Sequence, residues 1–230
     1  MFKKILIANR GEIAVRVLQA CRELGVPSLA LYQAPDIGSL HVRLADECVR
    51  LDSPDGFMDQ EAIVQIARRM GADAIHPGYG FLAEHPEFIQ AVEAAGIRFI
   101  GPPVEVVSAT RDKLGALRKA RQAGFATVEF SQESYCEADC ANQAGASALR
   151  AEAGRLGYPL VIKSCSGGRG LGEQLVRSPD ELEKAVQRAQ AEAQIVFSDR
   201  KVYLEKALFP AQQVSVQVLG DGFGELVHLG

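Results

Sequence analysis

No stretch of this 230-residue chain approaches the roughly 18 uninterrupted apolar residues of a membrane-spanning helix. Nor is there an apolar signal region after Met1-Phe2-Lys3-Lys4, which runs straight into a strand pattern. These absences predict a chain with no membrane association and a cytoplasmic location. Paired C-x-x-C spacing is missing too. The five cysteines, at 21, 48, 136, 140 and 165, are odd in number, and Cys136 and Cys140 have no nearby histidine to complete a ligand set. They read as reduced thiols, and no metal site is expected. There is no excess of positive charge: the formal net charge of −4 leaves no electrostatic footprint for nucleic acid. The local basic stretch Arg111, Lys113, Arg118, Lys119 and Arg121 reads as a mainly solvated helix face, with Lys113 the exception. Internal repeats and low-complexity linkers are also absent. Finally, Ser166-Gly-Gly-Arg-Gly-Leu-Gly172 is neither a Walker A loop nor G-x-G-x-x-G, and it joins two strand patterns rather than opening a helix. Both of those nucleotide folds are disfavoured.

What the chain does contain is enough apolar residue, 47%, to fill a core in one large or two small domains. Residues 1–103 alternate strand and helix patterns: strand 4–8, helix 12–24, strand 28–32, helix 60–70, strand 73–76, helix 86–95, strand 97–100. Such alternation calls for a parallel sheet with helices on both faces. Gly25, Gly71 and Gly96 each follow a helical pattern, where a left-handed cap is expected. Gly101-Pro-Pro103 ends the unit, and a helical connector runs from about Val104 to Ala123. Beyond a polar stretch at 131–142, the pattern predicts a helix near 145–156, strands at 158–163 and 173–177, and a capped helix from Ser178-Pro179 to about 195. Three further strands are expected at 202–205, 213–219 and 225–229.

Two runs in the first region, Ile7-Ala-Asn-Arg-Gly-Glu-Ile-Ala14 and His76-Pro-Gly-Tyr-Gly-Phe-Leu82, sit where strands end. Both resemble the amino-terminal domain of biotin carboxylase, the ATP-consuming component of acetyl-CoA, propionyl-CoA, pyruvate and urea carboxylases. In the second region the order Lys113, Lys163, glycine loop, then Val202-Tyr-Leu-Glu-Lys-Ala-Leu208 resembles the ATP-grasp fold. The resemblance implies an α/β doubly wound parallel sheet (the pre-ATP-grasp domain, 1–103), a connector (104–127), an α+β ATP-grasp lid (128–205) and the first strands of an incomplete third domain (206–230). It implies that Lys113 and Lys163 contact the phosphates of ATP and that the loop with Gly167, Gly168, Arg169 and Gly170 closes over them. Glu205 and the backbone of Lys206, next to Ala207, would read the adenine edge, and Leu208 would pack on its ring. Tyr79 and Gly80 would face the ureido ring of biotin, although a tight turn with its aromatic covering the sheet edge stays open. His76 reads as a ring that satisfies backbone groups rather than a ligand or base. Glu23 resembles a dimer-contact position, and a solvated helix-face carboxylate is an equal alternative.

The chain departs from the family pattern where ATP would sit. Arg169 interrupts the usual four glycines, Leu171 replaces a basic residue and Glu173 a methionine. Gln213 stands for an ATP-contacting histidine, Ser215 for a glutamate and Arg111 for a glycine. The sequence closes at His228-Leu-Gly230, where the family continues into a third domain carrying the magnesium carboxylates and the bicarbonate-handling residues. No catalytic residue of the reaction is therefore expected within these 230 residues. The whole family enzyme uses MgATP and bicarbonate to carboxylate biotin on a carrier protein or domain, and passes the product to a carboxyltransferase component. A homodimer formed through the third domain and the first helix is also implied. From the resemblance, the chain is expected to be a biotin carboxylase component inactive on its own. The alternative is a non-catalytic nucleotide-binding or assembly module derived from the ATP-grasp fold.

Overall fold

The computed structural model describes residues 1–136, 142–166 and 172–230. The chain forms two compact units, Met1–Phe125 and Ala126–Gly230.

In the first unit, β1 (Ile5–Ile7) leads into α1 (Gly11–Glu23), then β2 (Ser28–Tyr32), a short α2 (Leu40–Leu44) and β3 (Glu47–Arg50). There follow α3 (Gln60–Arg69), β4 (Ala74–His76), α4 (Pro86–Ala94) and β5 (Arg98–Phe99). All strand pairings are parallel, in the order β3-β2-β1-β4-β5. Because successive side chains on a strand point to opposite faces, β1 feeds two separate cores. Leu6 joins Leu29, Leu31, Ile75 and the α3–α4 residues Ile63, Phe88 and Ile89. Ile5 and Ile7 join Ala14, Val17, Leu18 and Cys21 of α1. The doubly wound parallel sheet expected from the alternation is therefore present.

Two elements were not expected. Both α2 and β3 fall in the gap between residues 32 and 60, and β3 (Glu-Cys-Val-Arg) is a mostly exposed edge strand with charges at both ends. An edge strand carries no apolar alternation to betray it. The connector is also two helices rather than one, α5 (Val104–Arg111) and α6 (Lys113–Gln122). Asp112 breaks the run by adopting an extended conformation and accepting a hydrogen bond from the Gly115 amide at 3.0 Å, which caps α6.

The second unit is built on an antiparallel sheet, β7-β6-β8, from β6 (Leu160–Ser164), β7 (Gln174–Val176) and β8 (Val202–Lys206). Helices α7 (Gln143–Leu156) and α8 (Leu182–Phe197) supply the apolar layer, packing Leu149, Ala153, Val186 and Ala189 against Leu160, Ile162, Val202 and Leu204. Phe130, just before the expected polar stretch, and Tyr135, within it, bridge to the outer edge of β8. The expected helix after Ser178 opens as a 3-10 turn, Pro179–Glu181, before α8 begins. A final antiparallel hairpin pairs β9 (Val218–Gly220) with β10 (Leu226–His228). The strand expected from 213 starts only at Val218, and every residue from Leu208 onward is exposed. Without packing on either face, strand propensity in 213–217 has nothing to hold it.

Candidate functional site

In the first unit, strand order reverses between β1 and β4, and the loops at their carboxyl ends meet there. Four hydrogen bonds build the meeting point. The Ala8 amide donates to the His76 carbonyl at 2.9 Å. Asn9 Nδ2 donates to the carbonyls of Pro77, at 2.7 Å, and Tyr79, at 3.2 Å. Its Oδ1 accepts from the Arg10 amide at 2.8 Å. The loop can approach this closely because Gly78 has no side chain: at its φ of +69°, a Cβ would lie 2.4 Å from Ile13 Cγ2 and 2.6 Å from Asn9 Nδ2. Gly80 adopts φ 73° and ψ −174°, a conformation restricted to glycine.

His76 behaves as a backbone-satisfying ring. Its Nδ1 accepts from the Gly78 amide at 2.9 Å, and burial holds its pKa below the ordinary value. Tyr79 lies outside, 67% exposed, with its hydroxyl donating to Glu12 Oε1 at 2.8 Å. That hydrogen bond, and then the Glu12 charge, raise the phenol pKa. Tyr79 and Gly80 therefore stand at the switch point, the position where open α/β sheets take ligands. Glu12 and Asn9 complete the cluster. Neither was singled out from the sequence, and only their place in the first-turn run Asn9-Arg-Gly-Glu12 could have signalled them. Glu23 is exposed near the end of α1. Lys113 is the first residue of α6 and is half-buried.

The second unit offers a face rather than a strand end. Along β6 the burial alternates, with Leu160, Ile162 and Ser164 buried and Val161 and Lys163 half-open. Lys163 is opposite Tyr203 in the register, and Glu205 lies two residues on, so all three side chains share the face away from the helices. Lys163 Nζ donates to Glu205 Oε1 at 2.8 Å, with side chains 24% and 14% exposed. Tyr203, only 2% exposed, donates its hydroxyl to Glu205 Oε2 at 3.0 Å. Burial, reinforced by the Glu205 charge, pushes the Tyr203 pKa far up, so the phenol stays a donor. Tyr203 was not singled out as a site residue, yet its i, i+2 relation to Glu205 on one strand was a legible signal.

Lys206 turns its ammonium to the carbonyls of Gly157, at 3.0 Å, and Tyr158, at 3.1 Å, while its amide donates to the Glu129 carbonyl at 2.7 Å. That amide is thus already used by the protein. Ala207 is buried, Leu208 is 59% exposed, and Gln213 is exposed outside any strand. Gly167, Gly168, Arg169 and Gly170 lie outside the described residues. Of the described cysteines, Cys21 and Cys165 are buried, Cys136 is half-buried and Cys48 is exposed. Among the described residues no cluster of three His, Cys, Asp or Glu could hold a metal ion, and no helix is long and apolar enough to cross a membrane.

Comparison with known proteins matches residues 1–107 to the family model "Biotin carboxylase, N-terminal domain" and residues 118–230 to "Carbamoyl-phosphate synthase L chain, ATP binding domain". The biotin carboxylase of Haemophilus influenzae is 40% identical over 232 aligned residues, covering 100% of this chain and 50% of that protein. Among solved structures, the biotin carboxylase domain dimer of Hydrogenobacter thermophilus 2-oxoglutarate carboxylase, in complex with MgADP, ADP and bicarbonate, superposes with a TM-score of 0.91 at 38% identity. It is matched over 100% of this chain and 49% of its own. A Campylobacter jejuni biotin carboxylase in complex with a β,γ-ATP compound gives a TM-score of 0.90 at 36% identity, over 99% of this chain and 50% of its own. The chain spans about half the length of the curated relatives it matches. With both domain models in sequence order and whole-chain similarity at this level, the chain belongs to the biotin carboxylase family.

Proposed function

We propose that this chain is the biotin-facing and nucleotide-facing portion of a biotin carboxylase component, which uses ATP and bicarbonate to carboxylate biotin on a carrier protein or domain. The observation that carries this reading is the Lys163–Glu205 pair on a half-open sheet face, within the region matched by an ATP binding domain. In this reading Lys163, Lys113 and the loop containing Gly167, Gly168, Arg169 and Gly170 contact phosphate oxygens. Glu205, the Lys206–Ala207 backbone, Leu208 and Gln213 face the base and sugar side. Tyr79 and Gly80 orient biotin at the switch point. The described residues do not fit magnesium, since among them no three His, Cys, Asp or Glu side chains cluster, so no step here runs through the metal. The natural partners are a biotinylated carrier and a carboxyltransferase, and self-association as a dimer through α1 and Glu23 is part of the same reading.

Thermal denaturation with millimolar MgATP tests it. A ligand at about a hundred times Kd stabilises the folded state by about 2.7 kcal/mol, a shift of several degrees that Lys163→Ala should remove. No Lys163-dependent shift would sink the nucleotide assignment. For catalysis, bicarbonate-dependent phosphate release with a biotinylated carrier is expected only when a separately expressed carboxy-terminal portion of a family enzyme is added. A second reading, a non-catalytic nucleotide-binding or assembly module, is favoured by one observation: Gln213 and Ser215 are exposed and outside any strand. Nucleotide binding without release after complementation would support it.

A further inference from the structure

We propose that Glu205 is a resident counter-ion which occupies Lys163 in the empty protein and gives way to a ligand's phosphate, with Tyr203 the positioning residue that holds the carboxylate in place. Three observations carry this. The Lys163 ammonium, the only charged group opposite β8 on this face of β6, is 2.8 Å from Glu205 Oε1 and thus already neutralised. The carboxylate cannot drift away, because its other oxygen accepts from Tyr203 at 3.0 Å. And Tyr203 is itself buried, being 2% exposed and directly opposite Lys163 in the antiparallel register.

One protein donor on each oxygen leaves the carboxylate engaged at both ends in this half-open setting. A polyanion arriving at Lys163 therefore competes with a carboxylate instead of meeting a bare cation, and weakly charged anions are excluded because they cannot displace it. Once phosphate takes Lys163, Oε1 becomes free to accept an N–H from the same ligand, while Tyr203 keeps Oε2 and so the plane of the carboxylate. The phosphate and the hydrogen-bonding end of the ligand are coupled through one side chain, with no movement of the backbone. The inference rests on the reading of Lys163 as a phosphate contact, and extends it to how selectivity for a polyphosphate arises.

The first experiment needs no ligand. Brief acetylation with acetic anhydride, followed by peptide mass measurement, reports how accessible each lysine amine is. Lys163 in Glu205→Gln should react roughly three- to ten-fold faster than in the wild-type chain, the scale of losing one charge-assisted hydrogen bond in a half-open site. Tyr203→Phe should give a smaller increase, and Lys206, held by two backbone carbonyls, should be unchanged. An unchanged Lys163 rate in Glu205→Gln would overturn the proposal. The second experiment is calorimetric titration with inorganic triphosphate, a probe with no base. Glu205→Gln should bind it about three- to ten-fold tighter than wild type, a gain that a damaged fold does not produce, and adding Lys163→Ala should abolish the gain. Lys163-dependent triphosphate binding with no gain in Glu205→Gln overturns the counter-ion while the nucleotide reading stands. Faster labelling with no Lys163-dependent binding removes the nucleotide reading and the exchange built on it, leaving only the resting ion pair.

Discussion

Strand β1 in the first unit is buried on both faces, whereas β6 in the second unit buries every other residue and leaves Lys163 half-open. The difference follows from layering. Parallel strands linked by crossover helices are covered on both sides, so chemistry can only gather at the strand ends, where Asn9, Glu12 and Tyr79 meet. An antiparallel sheet with helices packed on one side only can present charged side chains from the middle of a strand, as Lys163 and Glu205 do. The two candidate sites are thus made in different ways. One rests on a loop that must thread a tight place, the other on a register.

The comparison can be broken most severely in the first core. Phe88 is fully buried and packs edge-on against Phe99, with ring centres 6.2 Å apart. Phe88→Ala should cost about 3–5 kcal/mol in urea unfolding. By contrast, Leu226→Ala in the exposed hairpin should stay within about 0.5 kcal/mol. Similar losses at both positions would mean that the hairpin is covered in solution.

Next is the loop at the switch point. Gly78→Ala adds a Cβ against Ile13 and Asn9 at a left-handed φ, and a loss of about 1–3 kcal/mol is expected, with the Tyr79–Glu12 bond disrupted. Gly25→Ala, also at positive φ but with open space around it, should cost only about 1 kcal/mol. Equal effects would show that close approach is not what the Gly78 position requires.

A smaller effect is expected at Tyr203, where Tyr203→Phe removes one hydrogen bond to Glu205 and should lower stability by about 1 kcal/mol. No measurable loss would mean that Glu205 does not depend on the phenol for its position.

The units should also separate by pH. His41, His76 and His85, all in the first unit, have pKa values lowered from 6.5, in each case chiefly by burial. A lowered histidine pKa means that the unfolded chain takes up protons first. Stability of the first unit is therefore full above pH 6.5 and declines as pH falls below it towards the folded values. Hydrogen exchange compared at pH 7.5 and about 5.5, corrected for intrinsic rates, should show β4 losing protection relative to β6. Protection of β4 that holds steady relative to β6 would contradict this.

The elements legible in the sequence were those with a strong period or a marked boundary. The alternating strands and helices of the first unit, α7, β6, α8 and β8 all lie where the pattern placed them, within a few residues. The misses have physical causes. Edge strand β3 is polar because its outer side faces water, and Asp112 ends one helix and starts another within what reads as a continuous pattern. At the sites, Tyr79, Gly80, Lys163 and Glu205 could be named from motif and order. What could not be read was their company, because Glu12 is 67 residues from Tyr79 and Lys163 is 42 from Glu205.

The sequence by itself determined the class of the strongly periodic elements and the family to which the chain belongs, since periodicity and motif order are local properties. Only the tertiary structure decided that Lys163 is already paired and that Tyr203 holds its partner. Which side chains share a sheet face across distant strands depends on register, and register is set by the burial of Leu160, Ile162, Val202 and Leu204 against the helices rather than by any residue at the site.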